Sequence, residues 1–105
     1  MEFTYENNRI YSLNGEGKVI AEITFPAVGP STVNIDSTFV DSSLRSEGIA
    51  GKLVQAAVDT IKVQHQKAII TCSYAKEWFA SHPQYADLMV SNNPYNWIFT
   101  IKYYR

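Results

Sequence analysis

Between Val40 and Leu53 the chain reads Val-Asp-Ser-Ser-Leu-Arg-Ser-Glu-Gly-Ile-Ala-Gly-Lys-Leu. These are the residues whose types and spacing suit chemistry best. A strand-like segment ends, a loop of small polar residues follows, and a segment of helical period begins. The first turn of a helix carries backbone N–H groups without intrahelical acceptors, at the positive end of the helix dipole. Gly48, Ala50 and Gly51 keep bulk away from those donors, so an anion can lie close against the backbone. Arg45 adds a planar fork that matches phosphate oxygens, and Lys52 adds a second positive charge. A pyrophosphate, the anion shared by nucleotides and coenzyme A, suits such a site. Small residues at a helix start also serve tight packing on a sheet, and the spacing alone leaves both readings open.

Other reactive side chains are few. Cys72 is the single cysteine, at the end of the apolar run Lys67–Cys72. A thiol is a capable nucleophile, and a lone strand cysteine is equally at home as a small buried hydrophobe. His65, among Lys62, Gln64, Gln66 and Lys67, reads as solvated. His82, before Pro83, reads as a residue that caps or pins a short helix, with a basic role as its alternative. No His, Cys and carboxylate spacing resembles a ligand set, so no metal is expected. No Gly-x-Ser-x-Gly elbow occurs either.

These residues need a frame. Phe3–Glu6 and Arg9–Leu13 read as short strands around the turn Asn7-Asn8, and Asn14-Gly15-Glu16-Gly17 reads as a hairpin turn. Lys18–Pro26 carries apolar residues at a period of two. Pro26, Gly29 and Pro30 break the chain, and Thr32–Val40 reads as one strand with Val33, Ile35 and Phe39 on a shared face. The period then changes: Ile49, Leu53, Val54, Ala57, Val58 and Ile61 form one face of a helix of about four turns. Lys67–Cys72 follows as a buried strand, expected parallel to Thr32–Val40 through a right-handed crossover. Tyr74–Ser81 suits a short helix, Tyr85–Met89 another turn, Asn92-Asn93-Pro94 a loop, and Trp97–Tyr104 a last strand. The class is α+β: a mixed, mostly antiparallel sheet, a long helix after the fourth strand, and one or two short helices.

The whole chain bounds the rest. Its 105 residues suit one domain, 1–105. With 46% hydrophobic and 18% charged residues it belongs among folded domains. A net charge of −1 argues against nucleic acid as the main partner. One cysteine, no leader-like start and no apolar run near ~20 residues point to a cytoplasmic protein that does not span a membrane.

Arg45-Ser46-Glu47-Gly48-Ile49-Ala50 resembles the Arg/Gln-x-x-Gly-x-Gly/Ala signature of the GNAT acetyltransferase superfamily. Further matches are Ile35-Asp36-x-Thr38-x-Val40, Cys72-Ser73-Tyr74-Ala75-Lys76, and His82-Pro83-x-Tyr85-x-Asp87-Leu88. Their order is similar to the small YjdJ-type branch, over about Ile20–Met89. Trp97–Arg105 is not part of that pattern. The resemblance implies a minimal GNAT-like fold whose parallel strands splay to receive a pantetheine arm. It implies acetyl-CoA as co-substrate, with its pyrophosphate held by Arg45, Ser46, Glu47, Gly48, Ile49, Ala50 and Gly51, chiefly through N–H groups. Lys52 would reach the phosphates of the nucleotide end, and the Glu47 carboxylate would face solvent. Phe39 and Val40 would offer backbone groups to the arm. Cys72 would lie near the acetyl group, and Tyr85, with Tyr74 as the neighbouring candidate, would protonate the departing thiolate; a packing role for Tyr85 stands equally open.

The expected activity is therefore acetyl transfer from acetyl-CoA to an unidentified amine, on a protein or peptide. Two rivals stand beside it: a non-catalytic acyl-CoA sensor or carrier, and an interaction protein on the same fold. The chain is expected to be a monomer, or a homodimer through its edge strand.

Overall fold

Asn8 takes a left-handed φ of 63°, as its place in the Asn7-Asn8 turn requires. The turn joins β1 (Thr4–Glu6) to β2 (Arg9–Leu13). The next turn works differently from its Asn-Gly reading. Asn14 acts through its side chain, which accepts from the N–H groups of Glu16 and Lys18 at 2.8 and 3.0 Å. The positive φ falls on Gly17. β3 (Val19–Thr24) returns antiparallel to β2. The computed structural model describes residues 1–90, so the strand read at Trp97–Tyr104 lies outside the described residues.

The segment after β3 departs from the sequence reading in two ways. Ala27–Gly29 is a short strand, β4, where the prolines suggested only a break; Pro26 and Pro30 flank it, where no ladder N–H is needed. Thr32–Val40 is two strands, β5 (Thr32–Ile35) and β6 (Ser37–Val40). They belong to different sheets, one ordered β1-β2-β3-β6 and the other β4-β5-β7. The division is a β-bulge. Asp36 N–H donates to Thr24 O at 3.3 Å, and the neighbouring Ser37 is already the ladder partner of Thr24. Two residues thus oppose one, and the inward face shifts by one position. Val33 and Ile35 are buried, but beyond Asp36 the inward residues are Thr38 and Val40, and Phe39 is 42% exposed.

The helix α1 (Ile49–Val63) buries the six residues its period marked out, Ile49, Leu53, Val54, Ala57, Val58 and Ile61. Two residues past its end the chain turns away at His65, exposed and left-handed at φ 56°. β7 (Lys67–Ile70) then pairs with β5 in parallel, Val33 opposite Ala68 and Ile35 opposite Ile70. The expected parallel pairing holds for the first half of Thr32–Val40 only. α2 (Ser73–Ala80) and a 3-10 turn over Pro83–Leu88 follow, and Met89 bridges back to Ala68. The class is α+β. Because the long segment divides and β4 is added, the long helix comes after the sixth strand in chain order. No helix among the described residues is long and apolar enough to cross a membrane.

Candidate functional site

The site begins at β6. Asp41 N–H donates to Ile20 O at 2.8 Å, which marks Ile20–Asp41 as a hydrogen-bonded pair of the β3–β6 ladder. Such pairs alternate, so the next are Glu22–Phe39 and Thr24–Ser37. Phe39 therefore directs its N–H and C=O at β3. Thr38 and Val40 direct theirs at the opposite edge, which no strand among the described residues covers, since β6 is terminal in its sheet there. Arg45 Nε lies 3.5 Å from the Val40 carbonyl oxygen at that edge.

A single 3-10 turn, Ser42–Leu44, carries the chain from β6 toward α1. Asp41 caps it, accepting from the Ser43 N–H at 3.1 Å and the Ser43 hydroxyl at 2.6 Å. The hydroxyl bond first, then the backbone bond, holds the Asp41 carboxyl below its ordinary range. Ser46 and Gly48 both adopt left-handed φ, 78° and 75°. Gly48 is the N-cap of α1 and has no side chain with which to cap it. The first intrahelical bond runs from Lys52 N–H to Gly48 O at 3.2 Å. The N–H groups of Ile49, Ala50 and Gly51 precede it and have no acceptor within the helix. No acidic residue occupies this first turn.

A cleft of about 230 Å³ lies in front of these donors, lined by Val40, Leu44, Arg45, Ser46, Gly48, Ile49, Ala50, Gly51 and Tyr74. Of the residues expected to hold the coenzyme, Phe39, Glu47 and Lys52 are not in its wall, and all three are exposed; Cys72 and Tyr85, the expected catalytic pair, are not in it either. Leu44 and Tyr74 join the wall. Leu44 gave no signal beyond its place in the loop, whereas Tyr74 had one in its position just after the strand. A Cβ added at Gly51 would stand 3.5 Å from the Tyr74 hydroxyl and 3.9 Å from Trp78 Nε1. Both are ordinary contact distances, and they show α2 packed directly beside the first turn of α1.

At the other end of the open edge, β7 and the bulge part company. The Thr71 and Cys72 N–H groups both reach Ile35 O at 3.1 Å, the last backbone bonds joining the two strands. Beyond them, Cys72 Sγ meets Thr38 Oγ1 at 3.5 Å. Cys72 is a half-buried free thiol packed against the core. Tyr85 is elsewhere. Its hydroxyl accepts from Gln55 Nε2 at 3.2 Å, and its ring stacks on Trp78 with centroids 5.6 Å apart. His82 stacks on the same indole at 3.8 Å, with Nδ1 2.6 Å from the Trp78 carbonyl oxygen. The two residues hold the 3-10 turn onto α2, and neither lines the cleft.

An uncapped helix start beside an open strand edge can receive an anionic group joined to an extended, amide-bearing arm. Comparison with known proteins shows the family. A GCN5-like protein of Staphylococcus aureus, solved by NMR in solution, superposes with a TM-score of 0.70 at 31% identity, over 85% of this chain and 87% of that one. Rv2747 of Mycobacterium tuberculosis, crystallised with coenzyme A, shares the fold with a TM-score of 0.58 at 16% identity, over 72% of this chain and 47% of that one. Protein NATD1 of Xenopus tropicalis is 33% identical over 63 residues, 60% of this chain and 58% of the relative. The chain thus spans about three fifths of the length of the curated relatives it matches. The family model for GCN5-related N-acetyltransferases matches residues 9–88, and the chain belongs to that family.

Proposed function

We propose that this domain binds acetyl-CoA in the cleft and transfers its acetyl group to an amine. The observation that carries this reading is the helix start at Gly48, with no side-chain cap and no acidic residue in its first turn, beside the edge of β6 that no described strand covers. The pyrophosphate would lie on the N–H groups of Ile49, Ala50 and Gly51, with Arg45 and the Tyr74 hydroxyl beside it. Ser46 and Glu47 shape the loop, and Lys52 adds charge at the exposed, nucleotide end. The pantetheine arm would pair with Thr38 and Val40 as an added strand, ending at Cys72.

The chemistry then follows from position. The amine nitrogen attacks the thioester carbonyl, a C–N bond forms, and the C–S bond breaks with its electron pair leaving on sulfur. The amine loses a proton and the thiolate gains one. A lysine amine with a pKa near ~10.4 must first be neutralised, at roughly 4–5 kcal/mol at neutral pH. α1 packs on the face of Ile10, Ala21 and Ile23, and α2 packs beside it against β7. Among the described residues, the face carrying Tyr11, Glu22 and Phe39 has no helix on it. An open face suits an amine on a protein or peptide better than an enclosed metabolite. Tyr85 contributes no contact to the reaction in this reading, because its hydroxyl is engaged by Gln55. A single thiol and this co-substrate suit a cytoplasmic setting.

The test is a calorimetric titration with acetyl-CoA, with Gly48→Glu run beside the native protein. Saturable binding lost in the folded variant supports the site. Absence of native binding overturns it. Binding without release of free coenzyme A thiol over a panel of lysine peptides would overturn the transfer step.

A further inference from the structure

The contact between Thr38 and Cys72 has no part in the transfer just described. After Ile35 the two strands diverge, yet Thr38 Oγ1 and Cys72 Sγ meet across the gap at 3.5 Å. Thr38 lies on the α1-facing side of the sheet, opposite the buried Ile23. Cys72 packs against the core, with its N–H on the carbonyl of the fully buried Ile35. The gap is therefore walled on its helix side, at the point where an arm laid along β6 must stop.

Resting on the acetyl-CoA reading above, we infer that Thr38 is a specificity-determining residue for the acyl donor. With Cys72 it forms the floor on which the acyl group rests, and that floor limits the group to two carbons. A longer chain directed toward the helices meets Thr38 and Cys72. Directed toward the open face, it occupies the path by which the amine reaches the carbonyl carbon. Either course penalises it. Thr38→Ala removes Oγ1 and Cγ2, as many heavy atoms as separate a butyryl from an acetyl group. Thr38→Val keeps the volume and loses only the hydrogen bond.

The experiment is a set of calorimetric titrations of native protein, Thr38→Ala and Thr38→Val with coenzyme A, acetyl-CoA and butyryl-CoA. In the native protein and in Thr38→Val, acetyl-CoA should bind more tightly than butyryl-CoA. In Thr38→Ala the butyryl-to-acetyl affinity ratio should rise by roughly tenfold, the value of a pair of methylene groups in an apolar seat. Cys72→Ala opens the same floor from the other strand and should move the ratio in the same direction, which keeps the test decisive where Thr38→Ala folds poorly. An unchanged ratio in the opened variants, with coenzyme A still bound, overturns the inference and leaves the acetyl-CoA reading standing. Failure of the native protein to bind coenzyme A overturns both.

Discussion

Ser46, Gly48 and Gly51 separate two reasons for a small residue at this site, and three substitutions there have opposite expected signs. At Gly48 φ is 75°, and an added Cβ would meet no atom within 4 Å. The cost of alanine is then conformational only. A left-handed L-residue costs about 1–2 kcal/mol, and alanine recovers about 0.4–1 kcal/mol by restricting the unfolded chain. Gly48→Ala should therefore destabilise the domain by about 1 kcal/mol. Ser46 holds the same conformation with a side chain, at φ 78°. Ser46→Gly reverses both quantities and should stabilise by up to about 1 kcal/mol. Gly51 is helical, and its added Cβ would make ordinary contacts at 3.5 and 3.9 Å with Tyr74 and Trp78. Gly51→Ala should gain up to about 1 kcal/mol of helix propensity. Its methyl group also narrows the approach between α1 and Tyr74, so stability should rise while coenzyme A affinity falls. Urea denaturation at unchanged m reads the first quantity, and calorimetry the second. A Gly48→Ala variant as stable as the native protein would refute the conformational argument. A destabilised Gly51→Ala would refute the packing argument.

Further consequences can be measured on the same protein. Phe39→Ala should change stability by no more than about 0.5 kcal/mol, although a core Phe→Ala costs ~3–5 kcal/mol; a loss in the core range would mean that Phe39 faces inward. Tyr74→Phe should weaken coenzyme A binding several-fold at unchanged stability. Tyr85→Phe should lose the Gln55 bond, about 0.5–1.5 kcal/mol of stability, and leave binding intact; loss of binding or turnover without loss of stability would contradict this placement of Tyr85. The carboxyls of Asp41 and Glu6 are held low chiefly by side-chain hydrogen bonds, from Ser43 and Tyr11 respectively. Groups with depressed folded values contribute stability that is complete above the ordinary carboxylate range and is lost as pH falls through the folded values. Urea midpoints followed from neutral pH down to about 2.5 should fall along that limb, and Asp41→Asn should flatten it; an unaltered limb in the variant would exclude Asp41 as a contributor.

What the residue pattern revealed was governed by periodicity. The face of α1 was legible because six apolar positions at spacings of three and four leave one way to bury them. The loop at Arg45–Gly51 was legible because backbone donors at a helix start depend on position and on small residues, both visible in a sequence. Phe39 was misplaced for the same reason that α1 was placed. It continues the odd-numbered parity of Val33 and Ile35, and nothing local announces that Asp36 breaks it. The break shows only in the ladder, where Asp36 and Ser37 share one partner. For Tyr85 the sequence left a catalytic and a packing role open. Its contacts are a tertiary fact, the stacking on Trp78 and the bond from Gln55, thirty residues earlier in the chain.

The bulge at Asp36 is also what makes the site. Without an extra residue, β5 would run on beside β7, and the groups of Thr38 and Val40 would be taken up in that ladder. With it, the chain keeps an antiparallel partner on one side, β4 giving way to β3, and parts from β7 on the other; Thr24 Oγ1 donates to the Asp36 carboxylate at 2.5 Å at that junction. Among the described residues one edge of β6 is left open toward the start of α1, and Thr38 is turned toward Cys72. A single inserted position thus sets which backbone groups are offered, which side chains meet at the closed end, and where an arm must stop. Elsewhere the site relies on the absence of side chains, at Gly48 for conformation and at Gly51 for the room between α1 and Tyr74. The proposed chemistry depends more on this backbone geometry than on any one reactive residue. Changes to φ, parity or floor volume are accordingly expected to disturb it more than the loss of the Glu47 or Lys52 charge, both of which lie outside the cleft wall.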